Sequence, residues 1–222
     1  MQHVMELPIF NDNLKSSGSW TAALAQAQAH WPGLNEEIRA AQWANAGPDL
    51  DPNRFRAAAE QLSAWAAEPE AAFSLARLLS LHRLLNGAAA ADDVLRKTEP
   101  LPMNALHDPT PAILLPRMLD NAFDWFGTDS FRELHAVEQA SVVYLRLLDL
   151  HPFPTHTAAT ALLAASFYTE RAGLPPLILF GDDTTRARFA QALEAAFRML
   201  TQPLVELLAE SLTRAMQLGK SA

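Results

Sequence analysis

Apolar residues dominate one stretch of the chain, Ser141 to Leu179, in which no polar face recurs at helical spacing. It reads as two helical segments, broken at His151-Pro152-Phe153-Pro154 and closed at Gly173 with Pro175-Pro176. A helix that is apolar on every side belongs in a core, so this pair predicts the centre of the fold. Between Asp149 and Glu170 the only side chains that titrate near neutrality are His151 and His156. Two histidines at the joint of two buried helices are the first place to look for chemistry.

The flanking segments carry apolar residues three or four apart, with recognisable starts and stops. Ser19 is placed to cap a helix through His30, stopped by Pro32-Gly33, and Asn35 to cap a second with Glu36 and Glu37 in its first turn, ended by Gly47-Pro48. Asp51-Pro52 sets a cap before a proline at the first helical position, and Phe55, Ala58, Leu62 and Trp65 give that helix one core face. After Pro69, residues Phe73, Ala76, Leu79 and Arg83 continue to a stop at Asn86-Gly87. Met118, Leu119, Ala122 and Trp125 define a helix ending at Gly127, and Ser130 with Glu133 predicts a capping box opening the first central helix. Residues 183–200 and 203–218 form two closing amphipathic helices, lined by Phe189, Leu193, Phe197 and Leu200, then by Leu204, Leu207, Leu208 and Leu212. Between Ala88 and Pro116 five prolines exclude a continuous helix, and Val94 to Met103 reads as a short hairpin or an extended flap. Met1 to Gly18 reads as irregular. The predicted fold class is all-α, a single helical domain with a flap.

Composition agrees and removes several functions. Ala and Leu are abundant, with 8 Gly and 2 Tyr in 222 residues, which favours helices. A net charge of −8 with no basic stripe argues against a nucleic-acid partner. There is no cysteine, so disulfides, thiolate catalysis and cysteine-based zinc sites are excluded. The longest apolar run, Ala158 to Tyr168, falls short of the ~18 residues a membrane span needs. The expectation is a cytoplasmic protein with no membrane contact.

The joint His151 to Thr160, HPFPTHTAAT, resembles the Fic/Doc motif H-x-F-x-[D/E]-G-N-G-R-x-x-R, which joins two central helices. Leu81 to Arg96, His107 to Phe126 and Arg188 to Leu212 are similar to the helix leading to the family's flap, its proline-rich segment with the helix before the motif, and its closing helices. The resemblance divides the chain into an N-terminal helical extension, 1–74, and a Fic/Doc-like domain, 75–218. It implies transfer of AMP, or of another phosphate-containing group, to a protein hydroxyl. In such a site the histidine is the general base, the acid holds Mg²⁺, and the glycine-rich turn at a helix N-terminus with two arginines holds the phosphates of ATP.

By that correspondence His151 is the candidate base and Phe153 the structural anchor. Thr155 stands where the metal-binding acid would be, His156, Thr157 and Ala158 replace Gly-Asn-Gly, and Ala159 and Leu162 replace both arginines. Mg²⁺ and ATP, expected for the family, lack their ligands, so no cofactor is expected. The leading expectation is a degenerate, inactive or repurposed site in a protein that binds other proteins. The alternatives are a transferase with an altered phosphate-containing donor, using His151 as base and Thr155, His156 and Thr157 as an anion site, and a helical interaction module. His151 is otherwise a histidine held by a backbone carbonyl, while Thr155 and Thr157 are otherwise caps of the second helix. Arg96 and His107 are the flap residues that could meet a ligand; for them and for Arg117 the ordinary reading is solvated surface. His151 and His156 are five apart, not the i, i+4 spacing of two ligands on one helical face, so no metal site is expected even with His107 nearby. The inhibitory pattern Ser/Thr-x-x-x-Glu-Gly/Asn, whose glutamate would pair with the arginine replaced by Leu162, is not found. Trp20, Trp31 and Trp43 are expected to dock the N-terminal helices or to mark a partner surface.

Overall fold

Prolines, glycines and short polar caps cut the chain where its helices begin and end. A computed structural model describes residues 19–44, 50–69, 72–87, 94–179 and 181–218. Its helices are α1 (Ser19–Gln28), α2 (Glu36–Ala44), α3 (Pro52–Ala67), α4 (Leu75–Asn86), α5 (Leu115–Phe126), α6 (Asp129–Arg132), α7 (Ala136–Leu150), α8 (Thr157–Arg171), α9 (Asp183–Phe197) and α10 (Gln202–Leu218), with a single 3₁₀ turn at Ala112–Leu114 leading into α5. Asn35 and Asp51 cap as expected: Asn35 Oδ1 accepts from the Ile38 N–H at 2.9 Å, and Asp51 Oδ1 from Asn53 and Arg54 at 2.8 and 3.2 Å. The expected irregular start, Met1 to Gly18, and the stop at Gly47-Pro48 lie outside the described residues.

Helices α7 and α8 are the apolar pair, packed on each other along their length. α3 and α4 cover α8, α10 and α5 cover α7, and α1 and α9 close the outside against α10. One contiguous core runs from Trp20 in α1 to Met216 in α10, with Phe55, Phe131, Phe153 and Phe167 fully buried. Burying each such ring stabilises the fold by roughly 2–3 kcal/mol. Just past the end of α8, Gly173, with a φ of 71°, lets the Leu174 N–H reach the Thr169 carbonyl at 2.9 Å. The proline-bearing strip that follows is then tied into the core, with the Leu177 N–H donating to Ser166 Oγ at 3.0 Å and the Ser211 hydroxyl to the Ile178 carbonyl.

One alternative is settled and two expectations change. No strand occurs among the described residues, so Val94 to Met103 is an extended flap rather than a hairpin. Ser130 does not open the central helix: residues 129–132 fold as the separate single turn α6, capped by Thr128, and α7 is capped by His135. The Glu138 carboxylate accepts from the His135 N–H at 2.9 Å, completing a capping box five residues later than predicted. Leu200 is 55% exposed because α9 stops at Phe197 and the chain turns through Met199 at φ 67°.

The N-terminal helices are joined to the centre by packing and by one buried ion pair. Trp20 is buried edge-on against His135, with ring centroids 5.0 Å apart, whereas Trp43 is 41% exposed. Arg39 of α2 meets Glu170 near the end of α8 at 3.2 Å, with the Ser63 hydroxyl of α3 donating to the same carboxylate and Arg39 also donating to Gln42 at 2.9 Å. Burial pushes the Glu170 carboxyl up, and Arg39 and Ser63 pull it back. Removing one partner of such a pair strands a buried charge. Arg39→Ala is therefore expected to cost about 3 kcal/mol, lowering the melting temperature by roughly 6–12 °C. The double variant Arg39→Met/Glu170→Leu should recover most of that loss in the same thermal melt.

Candidate functional site

A helix leaves its last four carbonyls without partners inside the helix. At the C-terminus of α7, and in the loop that follows, partners come from the flap. His107 Nε2 donates to the Asp149 carbonyl at 3.0 Å. Arg96 donates to the Leu150 carbonyl (Nη2, 3.3 Å), to the His151 carbonyl (Nε, 2.6 Å) and, through its backbone N–H, to the Pro152 carbonyl at 2.9 Å. The rest of the Arg96 fork closes the flap on itself, donating to the Thr98 carbonyl at 2.9 Å, the Glu99 carboxylate at 3.1 Å and the Thr110 carbonyl. His107 Nδ1 accepts from the Met103 N–H at 3.1 Å, which leaves Nε2 as the donor, and its ring stacks on Phe197. Arg96 is 5% exposed and His107 4%, so the solvated-surface reading does not hold for either. Their polar atoms are spent on the α7 terminus and on the flap itself. Arg117, by contrast, is exposed as expected.

The joint has left-handed backbone at both ends. His151 ends α7 at φ 43° and His156 opens α8 at φ 54°, a region that disfavours a β-carbon. The His151 ring is half-buried, and its Nδ1 is buried with no hydrogen-bond partner. It is not held by a backbone carbonyl; its own carbonyl is what Arg96 holds. Burial, then Arg96, then His107 lower its basicity below the ordinary histidine range, so the ring is neutral at neutral pH. A neutral imidazole can accept a proton, but no third group orients this one as the general-base arrangement requires.

Neither Thr155 nor Thr157 caps α8. The residue before the helix is His156, which makes no side-chain capping bond. The Thr157 hydroxyl instead staples the loop at Phe153, accepting from its N–H at 3.3 Å and donating to its carbonyl at 3.1 Å. Thr155 reaches across to α4, donating to Asn86 Oδ1 at 2.9 Å. Phe153 is 1% exposed, as an anchor should be. Ala159 and Leu162, which the resemblance sets at the positions of the motif's arginines, are 4% and 3% exposed and belong to the core. Among the described residues no group of three His, Asp or Glu side chains is placed to hold a metal ion. A groove of about 340 Å³ runs along the flap, walled by Leu95, Arg96, Lys97, Ala112, Ile113 and Pro116, and no joint residue lines it.

His82 of α4 is part of the joint and was not foreseen. It is 3% exposed and lies flat on the Phe153 ring, with centroids 3.8 Å apart and planes 7° from parallel. The expected face of α4 (Ala76, Leu79, Arg83) was out of register: the buried face is Leu78, Leu81, His82 and Leu85. The signal was available, since Leu78, Leu81, His82 and Leu85 also follow the 3–4 spacing of a core stripe.

No family model matches the chain. It is 26% identical over 138 residues to protein adenylyltransferase fic-1 of Caenorhabditis briggsae and of Caenorhabditis elegans, a match covering 62% of this chain and 27% of each relative. The chain thus spans about a quarter of the length of these curated relatives. A solved Fic-1 structure from C. elegans superposes with a TM-score of 0.74 at 19% identity, covering 90% of this chain and 71% of that one. A Fic domain containing signaling protein from Bacteroides thetaiotaomicron superposes at 0.70 and 14%, covering 94% and 95%. IbpA Fic2 in complex with adenylylated Cdc42 superposes at 0.61 and 16%, covering 90% and 71%. The fold is the all-helical fold of Fic domains, and the likeness reaches into the N-terminal helices. The sequence similarity to fic-1 over 138 residues agrees with that fold.

Arg96→Lys keeps the charge and loses the fork. With buried carbonyls left unpaired at ~1–3 kcal/mol each, part of them reachable by the ammonium, it is expected to cost about 2 kcal/mol, a fall of roughly 4–8 °C in melting temperature. Amide exchange should quicken at His151 and at the flap, while Arg117→Ala leaves both unchanged.

Proposed function

We propose that this Fic domain no longer transfers AMP and works as a protein-binding or regulatory module. The observation that carries the reading is that the motif's phosphate-gripping positions are occupied by Ala159 and Leu162, both sunk in the core. The acid's position holds Thr155, whose hydroxyl is engaged with Asn86, and the first glycine's position holds His156. Each charge-assisted bond to phosphate is worth ~1.5–3 kcal/mol, and losing two arginines together with a metal ligand removes ~5 kcal/mol or more, over a thousandfold in rate. IbpA Fic2 was solved with adenylylated Cdc42, so a protein partner is in keeping with the fold. No helix among the described residues is long and apolar enough to cross a membrane, and a chain without cysteine suits the cytoplasm.

The alternative reading, a transferase with another phosphate-containing donor, draws on His151, which remains neutral and half-exposed at the mouth of the joint. Labelled ATP with Mg²⁺, followed by gel autoradiography of the chain and of added lysate proteins, separates the two. The expected result is no label above the His151→Ala background. Label that His151→Ala abolishes would overturn the loss of AMP transfer, and label from a different nucleotide or phosphorylated donor would favour the alternative.

A further inference from the structure

The two ends of α7 are held in chemically different ways. At the joint its carbonyls are capped by Arg96 and His107, side chains from the flap. At its start the cap is an imidazole: His135 Nδ1 accepts from the Val137 N–H at 3.2 Å, while the Glu138 carboxylate accepts from the His135 N–H at 2.9 Å. A backbone N–H can only donate, so Nδ1 carries the lone pair and the neutral ring has its proton on Nε2. The cap bond also sets where the ring stands, and α1 is docked on it. Trp20 lies edge-on to the ring with centroids 5.0 Å apart, and its Nε1 is buried with no hydrogen-bond partner, so the indole is held by packing alone. The far end of α1 is fastened separately, by Gln28 Nε2 donating to the Ala172 and Gly173 carbonyls at 3.2 and 3.3 Å.

We propose that His135 is a pH-sensitive cap: acid uncaps α7 and loosens the Trp20 end of α1, while the Gln28 end stays fastened. The imidazolium has an N–H on both nitrogens. A proton on Nδ1 would meet the Val137 N–H head-on, so the charged ring cannot keep its place at the cap, and the positive end of the helix dipole repels it besides. Once the ring turns away, the Val137 N–H loses its acceptor and Trp20 its packing partner. The neighbouring elements leave this response to the ring itself. α1 has no ionisable side chain, and the α6 charges Asp129 and Arg132 pair with each other at 3.0 Å. Glu138 is the charge that faces the ring. Burial, partly offset by Glu138, lowers His135 below its ordinary 6.5. With the folded value below the unfolded one, the cap contributes fully above pH 6.5 and is lost as pH falls through the folded value. The device sits at the opposite end of α7 from the joint and holds whether or not the domain transfers AMP.

The test is NMR of the full chain, labelled with ¹⁵N throughout and with ¹³C in histidine, titrated from pH 7.5 to 4.5. The expected result is an Nε2–H ring at His135 with a midpoint below 6.5. Over the same range the Val137 amide should exchange about fivefold faster, after correction for the intrinsic rate at each pH, and the Trp20 indole signal should shift. His135→Asn keeps a good cap that cannot titrate, so Val137 protection should stay flat. Glu138→Gln keeps an acceptor for the His135 N–H but loses the charge that favours the proton, and should lower the midpoint further. An Nδ1–H ring at neutral pH, a midpoint at or above 6.5, or Val137 protection that ignores the His135 titration would overturn the proposal. So would the same Val137 response in His135→Asn, or a Trp20 signal unmoved through the titration, the sign of a charged ring still seated on the indole.

Discussion

The C-terminus of α7 is the constraint from which the site follows. A helix this deeply buried cannot leave its terminal carbonyls to water, and the chain that follows turns at once through His151 at φ 43°. Arg96 and His107, themselves buried, bring donors to four successive carbonyls from Asp149 to Pro152. That capping fixes three things together: where α7 stops, where the flap lies and which way His151 faces. The flap is part of the end of α7, and moving it would expose those carbonyls unpaired.

On the other side of the joint the same economy of polar groups holds. Thr157 staples Phe153, Thr155 bonds Asn86, and Thr160 links His82 to the His156 carbonyl. Further along α8 most side chains are apolar and buried, including Ala159 and Leu162. The side chains of this turn face the protein. His151 has an unpartnered Nδ1 and no group that orients it.

Much of this is legible in the sequence. Unbroken hydrophobicity marked α7 and α8, Asp51-Pro52 and Asn35 marked helix starts, and His151 and Phe153 marked the joint. What could not be read depends on long-range pairing. Arg96 and His107 look like flap surface in a proline-rich loop because their partners are carbonyls some 40 to 55 positions away. Thr155 next to a helix start looks like a cap, and only the approach of Asn86 reassigns it. His82 was the avoidable omission, hidden by a stripe read through Leu79 and Arg83 instead of through Leu78, Leu81 and Leu85. Of the two forms expected for Val94 to Met103 the extended flap is the one found, tied by Arg96 to Glu99 and by Glu99 accepting from the Ala112 N–H at 2.9 Å.

If the joint is filled by the protein's own side chains, it has no room or charge for a nucleotide. Isothermal titration of the full chain with ATP and Mg²⁺ addresses this without assuming any acceptor. The filled joint predicts no saturable heat at millimolar nucleotide. Saturable binding at micromolar concentration, lost when Leu162 is replaced by Asp, would contradict it.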